Sequence, residues 1–289
     1  MKLFTCIHID DDPILIKQFV KYYRDCAIDD FRIILHANQQ YSKGLAPQLE
    51  KFEQLLDSVG LKVGRYWLEE LFTDDEKQYR LNDYKREVCD PAKGEGCYEE
   101  WTIQVDVDEF IDKEIFNDQE FFELDDDQFT KGDFVMGKLS DRVSKDGTFP
   151  FIKEDTNLFT KFPVQAAITK YVNKADDNKV PISRGWVMLG AGHHWPMPQE
   201  LQWWHIKRIK ENTVFQQRTG KRLRVHHFKY IGGILENIKA KLEKNVNISE
   251  VGWKGEMMKF IIFLLLECKG PKIDINKLVL FEDEYKDEG

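Results

Sequence analysis

The sequence predicts an α/β fold, in which a mixed, mainly parallel sheet is flanked by helices and followed by a helical C-terminal addition. Three observations predict it. Short apolar runs alternate with amphipathic stretches through the first 112 residues. The apolar run 101–105 then ends on the acidic sequence Asp106-Val107-Asp108-Glu109. Beyond it, strand-like runs follow one another without long helices between them.

Residues 3–9 form an apolar run that stops at Asp10-Asp11-Asp12-Pro13. Proline near a helix start and aspartate in its first turn are N-terminal signals, so a helix follows through Leu15, Phe19, Tyr22 and Tyr23. Residues 31–35 predict a second strand and 36–42 a polar turn. Leu49, Phe52, Leu55, Leu56 and Val59 recur at helical spacing, and Gly60 closes that helix. Residues 63–67 predict a third strand, 79–88 a helix, and 89–97, with one proline and two glycines, a loop into the strand 101–105. Open sheets of this kind bind ligands beyond the carboxyl ends of their strands. Further on, 134–139, 166–172 and 185–189 predict strands, 222–230 is strand-like, and 234–242 and 257–266 predict helices. The expected organisation is one domain over 1–245, with a helical extension and acidic tail, 246–289, packed on it.

Composition narrows the function. Hydrophobic residues make up 42% of the 289 and aromatics 13%, which is enough for a substantial core. A net charge of −9 argues against capture of nucleic acid by the whole surface. One basic cluster, Lys207-Arg208-Ile209-Lys210 with Arg218, Lys221, Arg222 and Arg224, could face anionic phosphates or simply solvent. Five cysteines at irregular spacings, with no C-x-x-C, predict free thiols in a reducing compartment. The N-terminus turns polar too soon for a signal peptide. The run 257–266 is broken by Lys259, is too short to span a bilayer, and predicts a buried helix. A cytoplasmic protein without a transmembrane segment is expected.

Several segments carry chemistry. In an extended chain Asp106 and Asp108 face the same side, about 7 Å apart. Such a pair suits Mn²⁺ or Mg²⁺ shared with substrate phosphates. Glu109 would face the other way. In R-L-R-V-H-H-F-K-Y (222–230), His226 and His227 alternate, so one of them could complete a metal shell, and Lys229 could balance phosphate charge. G-A-G-H-H-W (190–195) predicts a loop whose backbone approaches a ligand, and Trp195, Trp203 and Trp204 are candidates for stacking on a sugar. In S-D-R-V-S-K-D-G (140–147), Asp146-Gly147 is turn chemistry, and Asp141 and Arg142 stand at an expected strand end. Each of these also has a plainer reading as a solvated turn, an ion pair or core packing.

Taken in order, V-D-V-D-E-F (105–110), S-D-R-V-S-K-D-G (140–147), Phe162-Pro163, G-H-H (192–194) and V-H-H-F-K-Y (225–230) resemble family 2 glycosyltransferases of the GT-A fold, in the branch whose metal motif reads D-V-D-E-F. The resemblance implies a Rossmann-like GT-A sheet and a nucleotide-sugar donor, a UDP-sugar first among them. It implies transfer of a hexosyl or pentosyl group to a glycan or other hydroxyl acceptor, usually with inversion. Mn²⁺ or Mg²⁺ would sit on Asp106 and Asp108, with His226 or His227 as a further ligand. His8, Asp10, Asp11 and Asn38, at the first two strand ends, would meet base and ribose, and Asp106 and Lys229 the diphosphate. Asp141 is the expected catalytic base, with His194 as its acceptor-site partner or substitute. The chain departs from the family after the first strand, where many relatives carry Asn-Glu and this one carries Asp10-Asp11-Asp12.

Two other readings compete. Phosphatases of the haloacid-dehalogenase type also place D-x-D after an apolar strand, but near the N-terminus and with Thr or Val where Phe110 stands here. A nucleotide-sugar-binding protein without turnover would share every donor contact. The D-D-D-Pro start also imitates a response-regulator receiver, but the region 51–60, where its second acidic strand end belongs, predicts a helix.

Overall fold

The computed structural model describes residues 1–37, 45–68, 73–90, 92, 95–118, 133–197, 223–244 and 251–281. The calls on Asn38, Trp203, Trp204 and the basic residues 207–222 lie outside the described residues. The chain forms two compact units. One comprises Met1–Lys138 with Asn178–Val225, the other Leu139–Asp177 with His226–Gly289.

The first unit is built on a sheet. Strands β1 (Lys2–His8), β2 (Asp30–His36), β3 (Val63–Trp67) and β4 (Trp101–Gln104) run parallel in the order β3-β2-β1-β4. Helices α1 (Pro13–Arg24), α2 (Leu45–Ser58) and α3 (Asp74–Cys89) lie between them in sequence. Beyond β4 the sheet turns antiparallel through β8 (Asn178–Arg184) and the first half of β6 (Phe134–Val143). It ends on the first residues of β9 (Leu223–His227) and on β5 (Glu109–Ile111). This is the mixed α/β, Rossmann-like arrangement expected of a GT-A fold.

Local chemistry explains the elements. Asp12 caps α1 by accepting from Ile14 N and Leu15 N, with Pro13 in the first turn. Buried Phe19, Tyr22 and Tyr23 then pack edge-on against Phe110 or one another. Thr73 caps α3 through Glu76 N. Its buried face is largely polar, with Lys77, Gln78, Asn82 and Lys85 beside Leu81.

In the second unit the end of β6 pairs antiparallel with β7 (Val164–Ala166), Asp141 lying opposite Ala166. Short helices α4 (Leu158–Lys161) and α5 (Ile168–Tyr171) are followed, after β9, by α6 (Ile234–Lys244) and α7 (Val251–Ile262). One π-helical turn, Phe263–Glu267, extends α7. The core gathers Val143, Ala166, Ile168, Tyr230, Ile238, Phe260, Leu264 and Ile273. Gly147 turns the chain at φ +73°, where a Cβ would lie 1.8 Å from the Ile273 carbonyl oxygen, so the Asp-Gly turn read from the sequence also receives the C-terminal segment.

The structure corrects several expectations. The strand 134–139 continues to Val143, because Ser140, Asp141 and Arg142 each find a hydrogen-bond partner there. The expected strand 166–172 is a three-residue strand followed by α5. The apolar run 185–189 is not a strand: side chains of α3, not a ladder, take its backbone at Val187 and Leu189. The strand is Asn178–Arg184 instead, and Pro181 within it sits where the β6 register shifts. Cys89 and Cys97 are disulfide-bonded, Cα atoms 4.4 Å apart, leaving Cys6, Cys26 and Cys268 as free thiols. The loop between them brings two sulfurs together that spacing alone did not pair. Among the described residues no helix is long and apolar enough to cross a membrane.

Candidate active site

The strand leading to the acidic motif stops before reaching it. β4 ends at Gln104, so Asp106 and Asp108 lie in the turn before β5 and not on one strand face. Glu109 N donates to Asp106 O at 3.0 Å, and Asp106 N donates to Glu109 Oε2 at 3.2 Å. The turn therefore folds the Glu109 carboxylate back beside Asp106. Two tyrosines of α1 fix this turn from behind: Tyr22 donates to Ile111 O at 2.5 Å, and Tyr23 donates to Glu109 O at 3.1 Å and accepts from Ile111 N at 3.2 Å. Glu109 is buried, whereas the Asp106 side chain is 24% exposed.

Two buried lysines neutralise the carboxylates. Lys77, in the first turns of α3, donates to both Asp106 oxygens at 3.0 and 2.9 Å. Lys179, on β8, pairs with Glu109 Oε1 at 2.7 Å and donates to Gly192 O at 2.6 Å. Burial opposes the charge on each lysine, but their carboxylate partners outweigh it and hold both above the ordinary lysine range. Burial likewise opposes ionisation of Asp106, yet Lys77 and Lys179 hold its carboxyl well below the usual range.

The third donor comes from the glycine-rich loop. Gly192 and His193 both take left-handed conformations, φ +64° and +59°, in the short 3₁₀ turn Ala191–His193. Histidine tolerates that region better than most residues, but the strain points to a positional demand. The demand is visible: His193 is fully buried, and one of its ring nitrogens, one Asp106 oxygen and one Glu109 oxygen lie within 4.8 Å of one another. Among the described residues neither His193 nitrogen has a hydrogen-bond partner. Burial, against the pull of Asp106, holds the imidazole well below its ordinary pKa, so the ring is neutral and in its ligand form. Two ionised carboxylates and a neutral imidazole with unused nitrogens fit a hard divalent cation. A carboxylate offers about four lone-pair sites, so Lys77 does not exhaust Asp106.

The other expected residues divide between the two units. His8, Asp10 and Asp11 gather at the carboxyl end of β1, where His8 N donates to Asp11 Oδ2 at 2.7 Å and Asp10 N to His8 Nδ1 at 3.0 Å. Asp108 is half-buried and outside the three-donor group. His194 is half-buried, with Nδ1 2.6 Å from Asn178 O, which fixes the proton on Nδ1 and makes Nε2 the basic nitrogen. Trp195 is half exposed.

In the second unit, adjacent residues of β6 meet adjacent histidines of β9 on opposite faces. Asp141 Oδ1 lies 2.8 Å from His227 Nδ1, and Arg142 Nε donates to His226 Nδ1 at 3.1 Å. Asp141 also accepts from Thr169 N at 2.6 Å and Thr169 Oγ1 at 2.9 Å, and its side chain is fully buried. As placed, Asp141 holds His227 and the start of α5. His226 is occupied by Arg142, which also stacks over Phe159. Lys229 is half-buried beside them in sequence. Neither His226, His227 nor Asp108 belongs to the three-donor group.

Sequence reasoning missed Glu109, His193, Lys77 and Lys179. Glu109 was assigned to the wrong face because strand alternation was carried one turn too far. The lysines left a faint signal, with Lys77, Leu81 and Lys85 recurring every four residues on one face of α3. That polar stripe positions the histidine loop: Asn82 exchanges hydrogen bonds with the Leu189 backbone at 2.7 and 3.1 Å, and Lys85 donates to Ser183 Oγ and Val187 O, both at 2.9 Å.

Lys85 itself makes a testable statement. Burial pulls its pKa down to about 7. The unfolded chain keeps this proton up to about pH 10.4, so between these values the unfolded state binds more protons and stability rises with pH. Lys85→Met is expected to remove a slope of about 1.4 kcal/mol per pH unit. Urea unfolding of both proteins between about pH 7.5 and 9.5 reads the difference. Parallel stability curves would mean that Lys85 stays charged when folded.

No protein-family model matches the chain, and no curated protein matches it. Among solved structures the chain is similar to that titled "Crystal structure of S. aureus TarS 1-349", at 13% identity and a TM-score of 0.30, over 96% of this chain and 77% of that one.

Proposed function

We propose that this protein is a metal-dependent glycosyltransferase that moves a hexosyl or pentosyl group from a nucleoside-diphosphate sugar, a UDP-sugar first among them, to a hydroxyl of a glycan or other acceptor, with inversion. The observation that carries the reading is the convergence of Asp106, Glu109 and neutral His193 beside Lys77 and Lys179, past the carboxyl end of a parallel strand. The ordered motifs shared with family 2 glycosyltransferases agree with it.

Charge explains why a diphosphate suits this cluster. Lys77 and Lys179 offset the charges of Asp106 and Glu109, and neutral His193 adds none. The pull on a divalent cation is therefore weakened until a diphosphate arrives with it. Bound there, Mn²⁺ or Mg²⁺ supplies Lewis-acid stabilisation of the departing nucleoside diphosphate. Asp106, Glu109 and His193 would hold the ion, with Asp108 at the turn's edge as a further oxygen donor. Lys77 and Lys179 are fixed, desolvated positive charges where the leaving group gathers negative charge. His8, Asp10 and Asp11, at the carboxyl end of β1, would receive base and ribose. His194, with its basic Nε2, takes the proton from the acceptor hydroxyl, a role that the burial of Asp141 moves away from that residue.

A thermal-shift screen of nucleotide sugars with and without Mn²⁺ tests the proposal. One nucleoside-diphosphate sugar is expected to stabilise the protein only with metal, by about 2.7 kcal/mol at a hundredfold excess over its dissociation constant, and to release nucleoside diphosphate. Phosphate release from a small phosphomonoester, with no response to nucleotide sugars, would make the protein a phosphatase. Metal-dependent binding without turnover would leave a nucleotide-sugar-binding protein.

A further inference from the structure

The apolar run at the end of α7, expected to be a buried helix, is buried on one side only. Phe260 and Leu264 enter the core of the second unit. Met258, Ile262, Leu265 and Leu266, at helical spacing on the other side, are exposed, the last two at 64% and 70%. An isolated exposed leucine means little, but a contiguous exposed apolar stripe on a helix marks an interaction surface. Beside it runs a groove lined by Tyr171, Ile262 and Val279, and exposed Leu280 follows Val279 in the chain.

The charges around this surface select its occupant. Lys174, Lys259 and Lys277 line the groove against one acidic residue, Glu267. Exposed Lys269 and Lys272 follow the stripe directly in sequence. This basic rim belongs to a chain whose net charge is −9. Apolar side chains that stand proud of the surface, ringed by lysines, match an interface of acyl chains beneath anionic headgroups. A partner protein would more often present a pocket for such residues or an acidic groove of its own. We propose that this face of the second unit docks the protein on an anionic lipid surface, Leu265 and Leu266 entering the headgroup–acyl boundary while the lysines meet lipid phosphates and carboxylates. The proposal is independent of the sugar-transfer reading.

Vesicle co-sedimentation of the full chain tests it. Binding is expected to vesicles of phosphatidylcholine with about one third phosphatidylserine, weakly or not at all to pure phosphatidylcholine, and to fall as salt rises from about 0.05 to 0.5 M. The double variant Leu265→Ser/Leu266→Ser is expected to lose about tenfold or more in partitioning. Lys259→Glu/Lys277→Glu should lose the preference for anionic lipid. All four side chains are exposed, so thermal unfolding of both variants should match wild type. Three results would overturn the proposal: no binding to the anionic vesicles, equal binding by the leucine variant, or a wild-type dimer in solution that the leucine variant dissociates, since the stripe would then be covered by a second copy of the chain.

Discussion

Asp106→Asn is expected to lower sugar transfer by about 10³-fold or more, since the metal's stabilisation of the leaving group amounts to several kcal/mol. The substitution keeps the shape of the side chain and an acceptor oxygen, but removes the charge that faces Lys77. It also leaves the buried Lys77 ammonium facing Asp74, 3.5 Å away and largely exposed, as a counter-charge. Some stability should therefore be lost with activity. The double variant Lys77→Met/Asp106→Asn separates the two effects, because replacing both members of a buried ion pair is often close to neutral. It should recover stability and not transfer. If the single variant turned over near the wild-type rate, the acidic turn would not be the metal site.

The second large effect falls in the other unit. Asp141→Ala is expected to destabilise the protein by about 3–5 kcal/mol, because it strands buried groups and breaks a charged hydrogen-bond network. The Thr169 amide, the Thr169 hydroxyl and His227 Nδ1 all lose their acceptor at once. Loss of α5 anchoring should follow, since Thr169 is its second residue. Denaturant unfolding reads the stability, and a parallel rate measurement reads the role. A stable Asp141→Ala protein with donor binding intact and transfer lost would return Asp141 to the chemistry as the reacting base.

Much of the architecture was legible because the first half of the chain repeats a simple pattern. β1, β2, β3 and α1 lie within a residue or two of the apolar runs that predicted them, and Pro13 and Gly60 mark the helix start and turn they suggested. Legibility failed where tertiary partners replaced local pattern. β6 holds Ser140, Asp141 and Arg142 in a fully buried strand because β7, α5 and β9 supply partners that no local window contains. Residues 185–189 look like a strand because they are apolar, yet lysine and asparagine side chains of α3 take their backbone. The Cys89–Cys97 disulfide depended on how the intervening loop closes.

The candidate site was half legible for a related reason. Asp106 was found from the motif, and the glycine-rich loop was read as a close approach to a ligand. Which histidine points inward depended on two consecutive left-handed residues, Gly192 and His193, and on Lys179 holding the loop by the Gly192 carbonyl. Glu109 depended on the strand stopping at Gln104. Lys77 and Lys85 are charged residues on a helix face that composition assigns to solvent, and burial there follows from the acceptors that Asp106, Ser183 and Val187 offer.

The coupling of metal to nucleotide is the most direct measure of the central claim. Calorimetric titration of UDP, or of the nucleotide found by the donor screen, should be done with and without Mn²⁺ on the wild type, Asp106→Asn and His193→Ala. The account predicts that Mn²⁺ alone binds weakly, that metal raises nucleotide affinity by about tenfold to a hundredfold with the reciprocal effect on Mn²⁺, and that either substitution removes the coupling. Equal nucleotide affinity with and without Mn²⁺ in the wild type, or coupling undiminished in both variants, would contradict it.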